Sequence, residues 1–339
     1  MDIGQIGEFS LIASIRRRME GHYPPEVVLG IGDDCAVLQP HAGMEWVVTT
    51  DTQVEDVHFR RPWLTPYQIG WRAMAVNLSD IAAMAAEPFA ALAALTLPGA
   101  IEGACFDQIL DGLCDLGLRF NCPLVGGNLA RDPARLSLTL TILGRVPRGA
   151  AVLRGGARAG DEIWVSGRLG GSAAGLQTFL QPSLAVDAVG TTLRLRYAQP
   201  LPRIREASFL RTSARLTSLI DLSDGLAGDL GHICDESGVG AQIVADALPL
   251  EAGVRAVAAA LGEDPLEYAL RGGEDFELCC TAEPGALAPL QAEFRAQFGI
   301  DLTRIGVMTA ERTLRLVRAD GSHIPLSPQA FDHFQRSST

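Results

Sequence analysis

Arg72-Ala-Met-Ala-Val-Asn77-Leu-Ser-Asp80-Ile-Ala-Ala-Met-Ala-Ala-Glu-Pro88 is the stretch around which the chain is organised. Thr65-Pro66, just before it, supplies a helix cap and a proline at the first helical position, and Pro88 helps to stop the helix. Between them lie good helix formers that are apolar almost all round, which predicts a buried helix. Asn77 and Asp80, spaced i and i+3, share one face of it. A carboxylate in such a helix is costly unless something cationic meets it. The nearest arginine, Arg72, lies about two turns away. Either a distant arginine or a metal ion is therefore expected to close onto Asp80.

The same phrase returns late in the chain. Ile220-Asp221-Leu222-Ser223-Asp224-Gly225 echoes Val76-Asn77-Leu78-Ser79-Asp80-Ile81. Two segments of the form N/D-L-S-D are expected to bring carboxylates to a shared cleft.

Composition narrows what that cleft serves. At 339 residues the chain is long enough for two domains. It is 47% hydrophobic and 20% charged, ordinary for a globular enzyme. The most apolar region, residues 73–98, is interrupted by Asn77, Asp80, Glu87 and Pro88, so no membrane span is expected. The first residues lack the basic and apolar regions of a secretion signal. The 7 cysteines form no CxxC pair, which fits reduced thiols in a cytoplasmic protein. A net charge of −12 argues against a nucleic-acid surface. There is no lysine: all 28 basic residues are arginine. That excludes a P-loop lysine, a Schiff base and a lysine general base. If the protein handles phosphates, metal ions and arginines must supply the positive charge.

The pattern along the chain predicts a helix over 5–20, a glycine turn at Gly30-Ile-Gly-Asp33-Asp34, and a strand over 45–50 with Asp51-Thr52 at its end. Glu55, Asp56 and His58 follow in a loop. A buried strand over 89–97, a helix over 102–120, a strand from Pro123 into a glycine turn at Gly126-Gly-Asn128, and a strand over 136–146 complete the first half. Pro147-Arg-Gly-Ala marks the junction, giving domains over 1–148 and 149–339. The second half restarts with a strand over 160–167. Arg168-Leu-Gly170-Gly171-Ser172 then opens a helix, where glycine N–H groups suit an anion and tight packing equally. Asp221 to Asp229 opens another helix, and Gly272-Gly-Glu274-Asp275 turns into a buried strand. Strands and helices alternate in both halves, so the class is α/β or α+β with two cores.

Asp33, Asp34, Asp51, Asp80, Asp221, Asp224 and Glu274 all fall at turn or helix positions beside apolar segments. Each alone reads equally as a cap, a turn former or a surface charge. Together, with Thr49, Thr50, Ser79 and Ser223 beside them, they suit oxygen-only ligation. That is the chemistry of Mg²⁺, which keeps waters and shares phosphate oxygens. Zinc is disfavoured, because six scattered histidines and unpaired cysteines form no recognisable site. Magnesium clusters of this kind serve phosphoryl transfer from ATP. No GxSxG elbow is present, and Ser172 has no evident base.

The ordered set Gly30-Ile-Gly-Asp-Asp34, Thr49-Thr-Asp-Thr52, Asn77-Leu-Ser-Asp80-Ile-Ala-Ala-Met84, Gly126-Gly-Asn128, Asp221-Leu-Ser-Asp-Gly225 and Gly272-Gly-Glu-Asp275 resembles the thiamine-monophosphate kinase family. The opening Gly7-Glu-Phe-Ser-Leu-Ile12 and closing Phe331-Asp-His-Phe334 resemble its ends. The resemblance implies the two-domain fold of aminoimidazole-ribonucleotide synthetase, with the N-terminal domain dimerising through its sheet and the C-terminal α+β domain completing the site. It implies direct γ-phosphoryl transfer from ATP to thiamine monophosphate with several Mg²⁺ ions. It also implies roles: Asp34, Thr49, Thr50, Asp51, Asp80, Asn128, Asp221 and Asp224 at the metals. Phe120, Gly127, Asn128, Arg154 and Ser223 would contact the nucleotide, and His58, Glu274 and Phe331 the substrate. A carboxylate and a ring make physical sense around a cationic thiazolium.

One departure stands out. The family reads Gly-Gly-Asp-Thr-Thr where this chain has Gly126-Gly127-Asn128-Leu129-Ala130. Asparagine still offers a carbonyl oxygen but removes a charge, which implies one weaker or water-completed metal site. Same-fold rivals act on an amide or on selenide. The selenide enzymes carry a loop cysteine and the hydrogenase-maturation relatives a cysteine tail, and this chain shows neither pattern. A non-catalytic nucleotide-binding scaffold is the reading from another class, supported by Asn128 alone.

Overall fold

In the computed structural model, which describes residues 8–29, 37–38, 42–99, 101–184 and 188–327, the chain divides into two units, Met1–Ala151 and Val152–Thr339. The expectations for Asp33, Asp34 and Phe331 lie outside the described residues. Unit 1 runs α1 (Glu8–Met19), β1 (Val27–Leu29), β2 (Val37–Leu38), β3 (Met44–Val54), α2 (Pro66–Ala83), β4 (Glu87–Pro98), α3 (Gly103–Arg119), β5 (Leu124–Asp132) and β6 (Ser137–Pro147). Its main sheet has the order β3-β6-β4-β5, with only β4 and β5 parallel. Leu138, Leu140 and Ile142 of β6 are fully buried, alternating with half-buried Thr139, Thr141 and Leu143. That period of two places one face of the sheet under the helices.

The α2 helix starts as its sequence demands. The Thr65 hydroxyl accepts the Gln68 N–H, the Gln68 side chain accepts the Thr65 N–H, and Pro66 occupies the first turn. It ends earlier than Pro88 suggests. The helix stops at Ala83, Ala85 adopts φ 50°, and Pro88 is the second residue of β4. α2 and α3 touch through glycines: a Cβ on Gly70 would lie 1.9 Å from Ile109 O, and one on Gly112 2.0 Å from Tyr67 O. Backbones that close leave no room for any side chain at either position.

Two expected boundaries move for a shared reason. β3 continues past Thr50 to Val54, so Asp51 lies inside the strand, because Thr139 and Leu138 of β6 go on pairing with it. Gly126-Gly127-Asn128 is not a turn but the middle of β5. Gly127 has φ +157°, and a Cβ there would sit 2.0 Å from Ala93 O, so the glycine serves close strand approach.

Unit 2 runs β7 (Glu162–Ser166), α4 (Gly171–Leu180), α5 (Ala188–Ala198), α6 (Ile204–Ser213), β8 (Leu216–Asp221), α7 (Leu226–Ser237), β9 (Gly240–Val244), α8 (Val254–Leu261), α9 (Pro265–Leu270), β10 (Leu278–Ala282), α10 (Gln291–Phe298), β11 (Leu302–Thr309), β12 (Leu314–Val317) and β13 (His323–Pro325). Its seven-stranded sheet has the order β13-β12-β9-β11-β7-β10-β8, antiparallel except where β12 meets β9. Ile163, Val165, Ile220, Leu230, Ile233, Ile243 and Ile305 form the centre of its core. Two mixed units, each with its own sheet, are the α/β (α+β) class the alternation of elements predicts. Among the described residues no helix is long and apolar enough to cross a membrane.

Candidate active site

In unit 1 the acids are set by a strand lying against a helix. Thr49 and Asp51, two apart on β3, point to the covered face and meet Asp80 and Asn77 of α2. The Thr49 hydroxyl donates to Asp80 Oδ2 at 2.5 Å, and the Asp51 backbone N–H donates to Asn77 Oδ1 at 2.9 Å. Two strand residues span about 6.8 Å and three helical residues about 4.5 Å, which a strand crossing a helix accommodates. Asn77 is fully buried, and its Nδ2 donates to Ala73 O at 3.0 Å. Asp51 and Asp80 are half-buried.

Thr50 goes the other way. Its hydroxyl donates to Leu140 O at 2.9 Å and accepts from Thr141 Oγ1 at 3.0 Å. Adjacent strand residues face opposite sides, so the Thr49 and Thr50 side chains do not meet. Asn128 is also apart from the Asp51–Asp80 pair. Register places it in the row Thr52–Thr139–Ala94–Asn128, next to the row Asp51–Leu140–Ala93–Gly127. β3 and β5 are opposite edges of the sheet, three strand spacings or about 14 Å apart.

Three further unit 1 residues are placed as follows. Phe120 is buried at the C-cap of α3. Gly127 is exposed on β5. His58 sits in the tight turn after β3, where its Nδ1 accepts the Val54 N–H at 3.0 Å. That bond assigns the proton to Nε2 and leaves Nε2–H as the ring's donor.

In unit 2 the same phrase takes a different form. Asp221 ends β8, Ser223 and Asp224 form the turn, and Gly225 leads into α7. The segment 274–277 runs alongside: Glu274 N–H donates to Ser223 O at 2.7 Å, Phe276 N–H to Leu222 O at 2.8 Å, and Leu222 N–H to Glu277 O at 2.8 Å. This pairing brings Glu274 beside Ser223 and Asp224. Glu274 and Phe276 both hold left-handed backbone, φ 68° and 50°, which side chains other than glycine rarely adopt. Arg154 is exposed near the start of the unit, and its carbonyl accepts from Ser237.

Two acids absent from the sequence-derived set hold these segments. Asp229, in the first turn of α7, accepts the Asp224 N–H at 3.1 Å. Burial, with Asp221 and Asp224 close by, pushes its carboxyl up to about 8. Asp275 accepts the Gly170 N–H at 2.6 Å and the Ser172 N–H at 3.1 Å. Its carboxyl is thus turned inward onto the start of α4 although the residue keeps some exposure, and burial pushes it up to about 7. The N–H groups at Gly170 and Ser172, read from sequence as suiting an anion or tight packing, thus meet an internal carboxylate. An acid in a first helical turn was a usable sign for Asp229; nothing local pointed to Asp275.

The donor set fits a hard cation. It is all oxygen, and burial with the charges of Asp221 and Asp224 raises the carboxyl of Asp229. Among the described residues no three of His, Cys, Asp or Glu converge as a closed metal cage. Mg²⁺ needs none, since it binds through one or two carboxylates with waters and phosphate oxygens.

Comparison with known proteins places these features in a family. Residues 32–146 match the AIR synthase related protein N-terminal domain and residues 158–318 its C-terminal domain. The chain is 42% identical over 332 residues to the thiamine-monophosphate kinase of Escherichia coli K12, covering 97% of this chain and 98% of that one. It is similar to the crystal structure of thiamine-monophosphate kinase from Stenotrophomonas maltophilia K279a, with a TM-score of 0.82 and 39% identity over 94% of this chain and 98% of that one. A solved structure of AaThiL complexed with AMPPCP and TMP covers 98% of this chain and 99% of its own, at 31% identity and a TM-score of 0.75.

Proposed function

The chain belongs to the thiamine-monophosphate kinase family, and from that premise we propose that it transfers the γ-phosphoryl group of ATP to thiamine monophosphate, giving thiamine diphosphate and ADP. The observation that carries the reading is the 42% identity running over 97% of the chain. The acids that the resemblance makes metal ligands are present and stand in hydrogen-bonded settings. Asp51 and Asp80 with Thr49 in unit 1 would hold Mg²⁺, and Asp221 with Asp224 in unit 2 would do the same; Asp34, Thr50 and Asn128 are the remaining proposed ligands, Asn128 toward a different ion from the Asp51–Asp80 pair. An ion held there would supply the positive charge that this lysine-free chain lacks for phosphoryl transfer.

The chain's own groups do the remaining work. Ser223 and Arg154 contact the nucleotide, with Phe120, Gly127 and Asn128 as further proposed contributors. His58 offers Nε2–H to the phosphate of thiamine monophosphate, held in that tautomer by Val54. Glu274 and Phe331 take the cationic thiamine end. No side chain attacks the phosphorus; the acceptor phosphate oxygen does. Because Asn128 lies at the far edge of the sheet, its loss of charge leaves the Asp51–Asp80 pair intact.

A homodimer belongs to the same proposal. On the face of the unit 1 sheet away from α2, Trp46 is 39% and Val48 62% exposed, beside Leu92 and a threonine ladder. Apolar exposure of that kind marks a contact surface. A cytoplasmic location fits a chain without a membrane-spanning helix among its described residues.

The test is Mg²⁺-dependent ADP release with thiamine monophosphate, thiamine, formylglycinamidine ribonucleotide or no acceptor. Release with thiamine monophosphate alone, yielding thiamine diphosphate, is the expected result. Release with another acceptor keeps the fold and discards the substrate. Silence with ATP still bound favours the scaffold reading.

A further inference from the structure

Among the described residues β3 is an edge strand, so part of its backbone faces away from the sheet with no described strand to pair with. At Asp51 that role is taken by a side chain. Asn77 Oδ1 accepts the Asp51 N–H at 2.9 Å, and Asn77 Nδ2 is anchored on Ala73 O at 3.0 Å. Asn77 is 0% exposed, so it touches no solvent. Both ends of its amide are satisfied, which fixes its rotamer and its flip. One turn on, Asp80 accepts the Thr49 hydroxyl. Two bonds thus pin β3 to α2 at Thr49 and at Asp51, and each involves one of the two acids.

We propose that Asn77 is a positioning residue: its buried amide holds the Asp51 backbone at a fixed place against α2 and so sets the separation of the Asp51 and Asp80 carboxylates for one divalent cation. The inference rests on the proposed ligand role of Asp51 and Asp80. Asn77 does not touch the cation. It acts through the backbone of a ligand, as the outer partners of metal ligands do, and their loss weakens metal binding by roughly 10–100-fold. An amide suits the task better than a carboxylate. Aspartate at 77 would add a buried charge and lose the donor to Ala73.

The experiment is a Mn²⁺ titration, followed by electron paramagnetic resonance on the full chain with a non-hydrolysable ATP analogue. Amide hydrogen exchange over residues 49–53 is measured alongside. The variants are Asn77→Ala and Asn77→Ser, with Met74→Ala as control. Met74 is fully buried one turn before Asn77 in the same helix, and the end of its side chain packs toward Gly117 of α3. Asn77→Ala is expected to weaken one class of Mn²⁺ sites by roughly 10–100-fold and to speed exchange over 49–53. Met74→Ala is expected to lower thermal stability with Mn²⁺ affinity unchanged. Wild-type affinity in Asn77→Ala, or equal losses in Met74→Ala, overturns the proposal. If the alanine variant does not fold, Asn77→Ser decides by the same criterion. A wild-type chain that binds Mn²⁺ but leaves thiamine monophosphate unchanged removes the substrate reading and leaves this inference standing; one that binds no Mn²⁺ overturns the inference.

Discussion

Asn77-Leu-Ser-Asp80 and Asp221-Leu-Ser-Asp224 read almost alike, yet one is helix interior and the other a strand end with the turn after it. In the first, the leading residue is a neutral amide that is buried and holds a neighbouring strand. In the second, the leading residue is itself an acid, and a third acid, Asp229, holds the turn. Unit 1 therefore fixes its carboxylates with neutral groups, Asn77 and Thr49. Unit 2 fixes its segments with carboxylates, Asp229 and Asp275. The difference teaches that a short phrase specifies which groups are offered, while the surrounding chain decides what holds them. It also predicts that the two regions respond differently to charge removal, charge addition and pH.

The largest effect is expected where the phrases agree. Asp80→Ala and Asp221→Ala should each reduce turnover with thiamine monophosphate on the order of a thousandfold, since a metal's charge stabilisation amounts to several kcal/mol. Steady-state assays at saturating Mg²⁺ measure this. If one variant loses activity and the other keeps it, the two phrases do not share a role.

The next effect separates them. Asn77→Asp makes the phrases identical in sequence. Because residue 77 is fully buried and its neighbour Asp80 is acidic, the variant should lose roughly 3 kcal/mol of stability at pH 8, read from urea unfolding midpoints. The reverse change, Asp221→Asn, should be neutral or stabilising without metal, since it removes one of the acids that crowd Asp229. Equal destabilisation by both would erase the distinction between an amide clamp and an acid cluster.

How much of this was legible depends on range. The helix start at Thr65-Pro66 and the acids beside apolar segments could be read, because caps and patterning are local. The Thr49–Thr50 split was also legible in principle: adjacent residues in a strand face opposite ways, and the sequence over 45–50 reads as strand. Gly126-Gly127 misled, since a glycine pair signals a turn unless one knows that Ala93 O passes 2.0 Å from the absent Cβ. Asp275 was beyond reach for the same reason. Its partners, Gly170 and Ser172, lie more than a hundred residues away, joined only through the fold of unit 2. Spacing alone puts Asn77 on one face with Asp80, but its bond to Asp51 depends on β3 running past Thr50.

The smallest effect tests the acid-held region alone. Asp275 is an acid whose folded pKa is raised from 3.8 to about 7. The folded state therefore holds a proton that the unfolded chain releases. That contribution is fully present below the unfolded value and is lost as pH rises through the folded one. Asp275→Asn lacks it, while Asp229, raised to about 8 with the same sign, remains in both proteins and cancels in the difference. The stability of the wild type relative to Asp275→Asn should thus fall by about 1 to 2 kcal/mol between pH 5 and pH 7, discounted for the partial exposure of Asp275. Unfolding midpoints across that range measure it. A difference that stays flat means the carboxylate at the start of α4 is ionised throughout, held by the Gly170 and Ser172 N–H groups as firmly as water would hold it. The acid-held region would then be no more pH-sensitive than the amide-held one, and the contrast between the two units would reduce to their geometry.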